Sequence, residues 1–83
     1  MNKLTADHIY EEYVGRMAGE WGFGVDVMMF DDKSLRFKPY TDEETVRNFI
    51  GSLACELGRI GYDVDVWLDG DVVVVDDKEL EEQ

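Results

Sequence analysis

Two stretches of this chain follow the same order of patterns, and that order limits the fold more than any other feature. Each opens with apolar residues at helical spacing, stops at glycine, and continues as an alternating strand containing Val-Asp-Val, at residues 25–27 and again at 64–66. In the first stretch Ile9, Tyr10, Tyr13, Val14, Met17, Ala18 and Trp21 form the helical stripe. Thr5 is placed to cap its start, with Asp7 in the first turn, and Gly22 and Gly24 stop it. Val25, Val27 and Met29 then alternate with Asp26, Met28 and Phe30. Asp31-Asp32-Lys33-Ser34 turns the chain, and Leu35 to Lys38 returns as a strand that Pro39 ends.

In the second stretch Thr41-Asp42-Glu43-Glu44 reads as a capping box, the Thr41 hydroxyl serving a backbone N–H and Glu44 reaching back. Val46, Phe49, Ile50, Leu53, Leu57 and Ile60 then stripe a helix that ends at Gly61. Tyr62, Val64, Val66 and Leu68 alternate with Asp63, Asp65, Trp67 and Asp69, Asp69-Gly70 signals a hairpin, and Asp71 to Val75 returns. The pattern predicts an α+β fold: a duplicated αββ-αββ, with a four-stranded antiparallel sheet and two helices on one face. We read one domain over 1–83, with an internal repeat over 1–39 and 40–78 and a polar, frayed tail over 78–83. No local feature sets the strand order.

A chain this short needs apolar residues to hold a core, and 45% of it is apolar and 12% aromatic, which argues against general disorder. Its charge is the unusual quantity. Twenty Asp and Glu against eight Lys and Arg leave −12 on 83 residues, beyond the magnitude of roughly 2–8 that keeps a small domain dissolved. Nucleic acid and anionic membranes would be repelled as direct partners, whereas a basic protein would be attracted. Plain solvation of the surface, or a halophilic origin, would also produce an acidic chain. Cys55 is the only cysteine, so no internal disulfide forms. No apolar run approaches the roughly 20 residues of a membrane helix, and Met1-Asn2-Lys3-Leu4-Thr5 lacks a signal segment, so the cytoplasm is the expected location.

Register decides which residues the helices bury. A two-residue Asp69-Gly70 loop sets Leu68 opposite Asp71, Val66 opposite Val73 and Val64 opposite Val75. The helix-covered face then holds Val64, Val66, Leu68, Val73 and Val75, with Val25, Val27, Met29, Leu35 and Phe37 across a bulged three-residue loop. The opposite face carries Asp26, Met28, Phe30, Arg36, Lys38, Asp63, Asp65, Trp67, Val72, Val74 and Asp76. Apolar side chains ringed by carboxylates suit an interface, Met for its adaptability and Trp as a frequent energetic anchor. Packing under a loop or the tail, or a register displaced by one residue, would instead make them core. Including the hairpin tips, the residues expected to meet a partner are Asp26, Met28, Phe30, Asp31, Asp32, Asp63, Asp65, Trp67, Asp69, Asp71, Val72 and Val74.

Catalysis finds little support. His8 is the sole histidine, with no Ser or Cys at a motif spacing, and reads as a surface residue. No basic cluster near Cys55 would lower its thiol pKa, so it reads as a bystander, or failing that as a link between two copies. The pairs Asp31-Asp32, Asp69/Asp71 and Asp76-Asp77 could in principle hold Ca²⁺ or act as acid and base. Asp65, Asp69 and Gly70 match part of a calcium loop, but Trp67 and Asp76 stand at ligand positions where that loop needs other residues, and the flanks are strands. No glycine-rich phosphate loop follows a strand. No cofactor, metal site or catalytic group is expected.

The acidic groups spread over the surface instead: Asp7, Glu11, Glu12 and Glu20 beside helix one, Asp42, Glu43, Glu44 and Glu56 beside helix two, and the Asp pairs at the hairpin tips. In size, in a charge of −12, and in its acidic–aromatic surface without a catalytic constellation, the chain resembles the small acidic inhibitors encoded by phages and mobile elements. That class includes anti-CRISPR proteins and DNA mimics that block nucleic-acid-binding enzymes. The resemblance covers the whole chain as size, charge and layout; no motif carries it, and those inhibitors share no common fold. It implies a non-enzymatic inhibitor in the host cytoplasm that occupies the basic, nucleic-acid-binding surface of a partner protein or complex. Two other readings stand beside it: a cytosolic interaction module or homodimer using the outer sheet face, and a small metal-binding or enzymatic domain using the Asp pairs.

Overall fold

Lys3 begins a helix that reaches Trp21 in three segments: α1 (Lys3–Ile9), a π-helical turn (Tyr10–Val14) and α2 (Gly15–Trp21). Ile9, Val14 and Gly15 at the joints keep right-handed helical dihedrals, so the segments form one rod. Thr5 therefore lies inside the helix and does not cap it. The π turn explains the apolar stripe. Gly15 N–H donates to Tyr10 O, one residue further back than in an α-helix, and the wider turn brings Ile9 and Val14 to the same buried side. Tyr13, which α spacing would set beneath Ile9, is only half-buried. A Cβ on Gly15 would sit 3.3 Å from Tyr10 O, so glycine stands where a side chain would press on the turn.

The computed structural model describes residues 3–30 and 34–77, with the side chains of residues 3, 29 and 30 outside the description. After α2 come β1 (Gly24–Phe30), β2 (Ser34–Tyr40), α3 (Glu43–Arg59), β3 (Val64–Asp69) and β4 (Val72–Asp77). Both helices end in the same way. Gly22 (φ 91°) and Gly61 (φ 108°) take the left-handed conformation. The residue after each donates back across the last turn, Phe23 N–H to Ala18 O at 3.0 Å and Tyr62 N–H to Leu57 O at 2.9 Å.

The start of α3 departs from the capping box. Asp42, not Thr41, is the cap: its carboxylate accepts from Thr45 N–H at 3.0 Å and from the Thr45 hydroxyl at 2.7 Å. Those bonds, the hydroxyl's first, hold the Asp42 carboxyl below its ordinary range. A carboxyl with a lower pKa in the folded chain stabilises the fold above its unfolded pKa, and that contribution disappears as pH falls through the folded value. Asn caps as well as Asp but cannot ionise. Asp42→Asn should therefore melt below the parent near neutral pH, and the gap should close as pH drops below about 4. Melting curves followed by circular dichroism read this directly; a gap that ignores pH would exclude an ionised cap.

The four strands form one antiparallel sheet in the order β1-β2-β4-β3. The second strand of each hairpin is central and the first is an edge. The hairpin register differs from expectation: Leu68 pairs with Val73, Val66 with Val75 and Val64 with Asp77, so Gly70 and Asp71 form the two-residue turn. Only Gly70 has a positive φ there (68°), which is the turn type with glycine first, whereas the Asp-Gly type needs positive φ at both positions. A displacement of two residues leaves every β3 and β4 residue on its expected face. Pro39 does not end β2; it is buried and pairs with Val25. The β2–β4 ladder covers only Ser34 to Phe37, so the missing Pro39 N–H has no β4 partner to lose.

The helices cover one face. Leu35, Phe37, Val73 and Val75 are buried there against Ala6, Ile9, Val14, Val46, Phe49, Leu53 and Leu57. Phe49 is the hub, with the rings of Phe23 at 5.0 Å, Trp21 at 5.4 Å and Phe37 at 6.4 Å, all edge-on. The Tyr10 hydroxyl donates to Val25 O at 3.3 Å and ties the first helix to β1.

Candidate interaction surface

The uncovered face is built by β1-β2-β4-β3 order as much as by alternation. Trp67 pairs with Val74, and Val74 pairs on its other side with Arg36. Flanked in this way, Val74 is 1% exposed although no helix lies over it. Val72 is half-buried, while Trp67 and Met28 remain 40% and 53% exposed. The expected apolar face is therefore divided. Trp67 stands at the β3 edge and Met28 at the β1 edge, with the Arg36 and Val74 positions between them. Arg36 Nε is closed off from solvent and has no hydrogen-bond partner among the described residues.

A bulge lies at Met28, where the β1–β2 register shifts between Val27 and Met29. Beyond it Met29 pairs with Arg36 and Phe30 with Leu35, so the bulge exchanges the register positions expected for them: Phe30 stands opposite core-facing Leu35, and Met29 opposite Arg36. The side chain of Phe30, and Asp31 and Asp32 entirely, lie outside the described residues.

Several of the expected carboxylates already have partners within the chain. Asp26 accepts from the Tyr40 hydroxyl at 2.7 Å, and this bond is the main cause of a raised Tyr40 pKa. Asp71 pairs with Lys38 at 3.3 Å, and Lys38 also lies 5.7 Å from the Tyr40 ring. Together they form a small polar network across β1, β2 and the hairpin tip that the sequence reading did not anticipate. Asp63 and Asp69 are exposed at the two ends of β3. Asp65 and Asp76 pair opposite each other on β3 and β4, both half-buried.

On the helices, Arg47 and Arg59 bind Glu43 and Glu56 of their own helix, each at 2.6 Å. Glu11, Glu12 and Glu20 are exposed on the first helix, where Arg16 stacks over Tyr13 at 5.9 Å. Local pairing thus neutralises Lys38, Arg47 and Arg59 while much of the acid stays exposed. Cys55 is exposed on α3. Among the described residues no three of His, Cys, Asp and Glu are grouped to hold a metal ion, and no described helix is long and apolar enough to cross a membrane. Comparison with protein-family models, curated proteins and solved structures returns no match.

Proposed function

We propose that the chain is a non-enzymatic acidic inhibitor that binds a basic, nucleic-acid-binding surface of a partner protein, in the manner of anti-CRISPR proteins and DNA mimics. The observation that supports this best is the combination of a −12 charge with three cations, Lys38, Arg47 and Arg59, held in local pairs, so that carboxylates dominate the outward-facing charge. Carboxylates held on a rigid sheet and two helices can stand in for a run of phosphates. They steer a cationic groove onto the chain and then exclude the nucleic acid that normally fills it. Trp67, half-exposed beside Asp69 and Asp65, supplies the apolar contact that resists dissociation.

A homodimer through the outer face is the second reading, favoured by the exposure of Trp67 and Met28. It is weaker because those two residues stand on opposite edges, and because each copy brings −12 to the same interface. The test is displacement. Proteins captured on the immobilised chain from a bacterial lysate at low salt are screened for duplex DNA or RNA binding, and the chain is titrated against the preformed complex. Release of the nucleic acid supports inhibition. Captured proteins that keep their nucleic acid bound exclude it.

A further inference from the structure

Of the two sheet edges, only one is built to accept another strand. At β1 the bulge at Met28 interrupts the ladder, a common guard against edge pairing. β3 is regular over all its pairs with β4. The two-residue turn makes Asp69 and Val72 the hydrogen-bonded closing pair. Alternation then directs the N–H and C=O groups of Leu68, Val66 and Val64 away from β4, along the free edge.

The same three side chains show where an added strand would set its own. They belong to the helix-covered face, yet Val64, Val66 and Leu68 are only half-buried, whereas Val73 and Val75 beside them on β4 are fully buried. α3 lies over β3 but leaves a groove along its edge. One recess of about 430 Å³ lies between Ala54, Gly58 and the Val64–Val66 stretch. A second of about 350 Å³ lies between Ile50, Arg47 and Leu68, with Trp67 at its rim. Ile50, Ala54 and Gly58 follow one another at helical spacing, so the recesses run in line with the strand.

Charge selects the occupant. From Tyr62 to Asp71 the chain carries Asp63, Asp65, Asp69 and Asp71 and no cation. Arg47, at the groove wall, is bound to Glu43. A second copy pairing through β3 would set these carboxylates against their own kind, so self-addition is disfavoured. We propose that the β3 edge takes up an extended basic segment of the partner as a fifth strand. Its apolar side chains would enter the groove beside Val64, Val66 and Leu68. Its Lys or Arg side chains would fall on the outer face, beside Asp65 and Asp69 and over the exposed Trp67 ring. This rests on the reading of a basic partner, and adds the edge, the strand geometry and the alternating chemistry of the segment.

The probe is a short end-blocked peptide of alternating arginine and valine, with two controls: glutamate in place of arginine, and arginine throughout. Amide exchange followed by NMR should show new protection at Val64, Val66 and Leu68, none along β1, and binding only by the alternating basic peptide. Val66→Pro removes an outward N–H that the fold does not use. Gly58→Phe fills the groove from a helical position where a Cβ meets nothing within 4 Å. Each should weaken the peptide by about tenfold or more with an unchanged circular dichroism spectrum. Should Val66→Pro not fold, Gly58→Phe decides alone. Equal binding by the all-arginine peptide, or protection that misses β3, would show that the Asp residues only guard the edge. Such a failure, beside intact displacement of nucleic acid from a captured partner, overturns the edge assignment and leaves the inhibitor reading standing; loss of displacement with β3 addition intact does the reverse.

Discussion

Phe49→Ala should cost about 3–5 kcal/mol, a large part of the roughly 5–15 kcal/mol that holds a domain of ordinary size. Phe49 is fully buried, and its ring meets those of Trp21, Phe23 and Phe37 edge-on at 5.0 to 6.4 Å. Those three neighbours come from α2, the segment after it, and β2, so a cavity at Phe49 loosens the contact between both helices and the sheet together. At about 4–8 °C per kcal/mol for a chain this short, the melting temperature should fall by roughly 10–40 °C. Thermal denaturation read by circular dichroism measures it. A fall of only a few degrees would mean that the core closes without this ring. Trp21→Ala is the internal comparison: Trp21 is 39% exposed, so the loss should be smaller.

Trp67→Ala should do the opposite: leave the fold nearly as stable and weaken partner binding. The side chain is 40% exposed and borders an open surface recess with Arg47 and Ile50 of α3, so its removal opens no internal cavity. It does uncover Val74, whose burial depends on Trp67 on one side and Arg36 on the other, and a modest loss of stability follows. For a captured partner the expected weakening is about 2 kcal/mol, or roughly thirtyfold in Kd, the size typical of a tryptophan anchor in a charged rim. Calorimetric titration of parent and variant gives both numbers. Unchanged affinity would remove Trp67 from the interface; global unfolding would make it a core residue.

The period of the apolar residues made the two helices, the four strands and the face of nearly every strand residue legible before any coordinates. Alternation tolerates an even slip, which is why Val64, Val66 and Leu68 are on the expected face although their partners on β4 are two residues away. What the sequence concealed was set by local geometry or by distant neighbours. The Gly70-Asp71 turn and the Asp42 cap each replaced an equally plausible motif one residue away. The π turn hides in the five-residue step from Ile9 to Val14, which reads as noise in an α-helical stripe. The bulge at Met28 changes the pairing of Met29 and Phe30 without any glycine to announce it.

The candidate surface was less legible because it depends on strand order. Val74 is buried between Trp67 and Arg36, and no residue in β4 encodes that β2 delivers Arg36 beside it. The open groove beside β3 exists only because β3 is an edge, which is likewise a consequence of β4 pairing with β2. The acidity was fully visible, but not its arrangement: Lys38, Arg47 and Arg59 neutralise Asp71, Glu43 and Glu56, and the unbalanced carboxylates lie elsewhere.

Salt dependence of displacement separates an electrostatic mimic from an apolar dimer or module. The affinity of the chain for a nucleic-acid-binding partner is measured by competition against labelled duplex over a range of salt concentrations. If carboxylates occupy the phosphate sites, the affinity should fall steeply and monotonically as salt rises from 50 to 200 mM, by about tenfold or more. An affinity that hardly responds to salt, with nucleic acid still bound to the partner, would contradict the inhibitor reading.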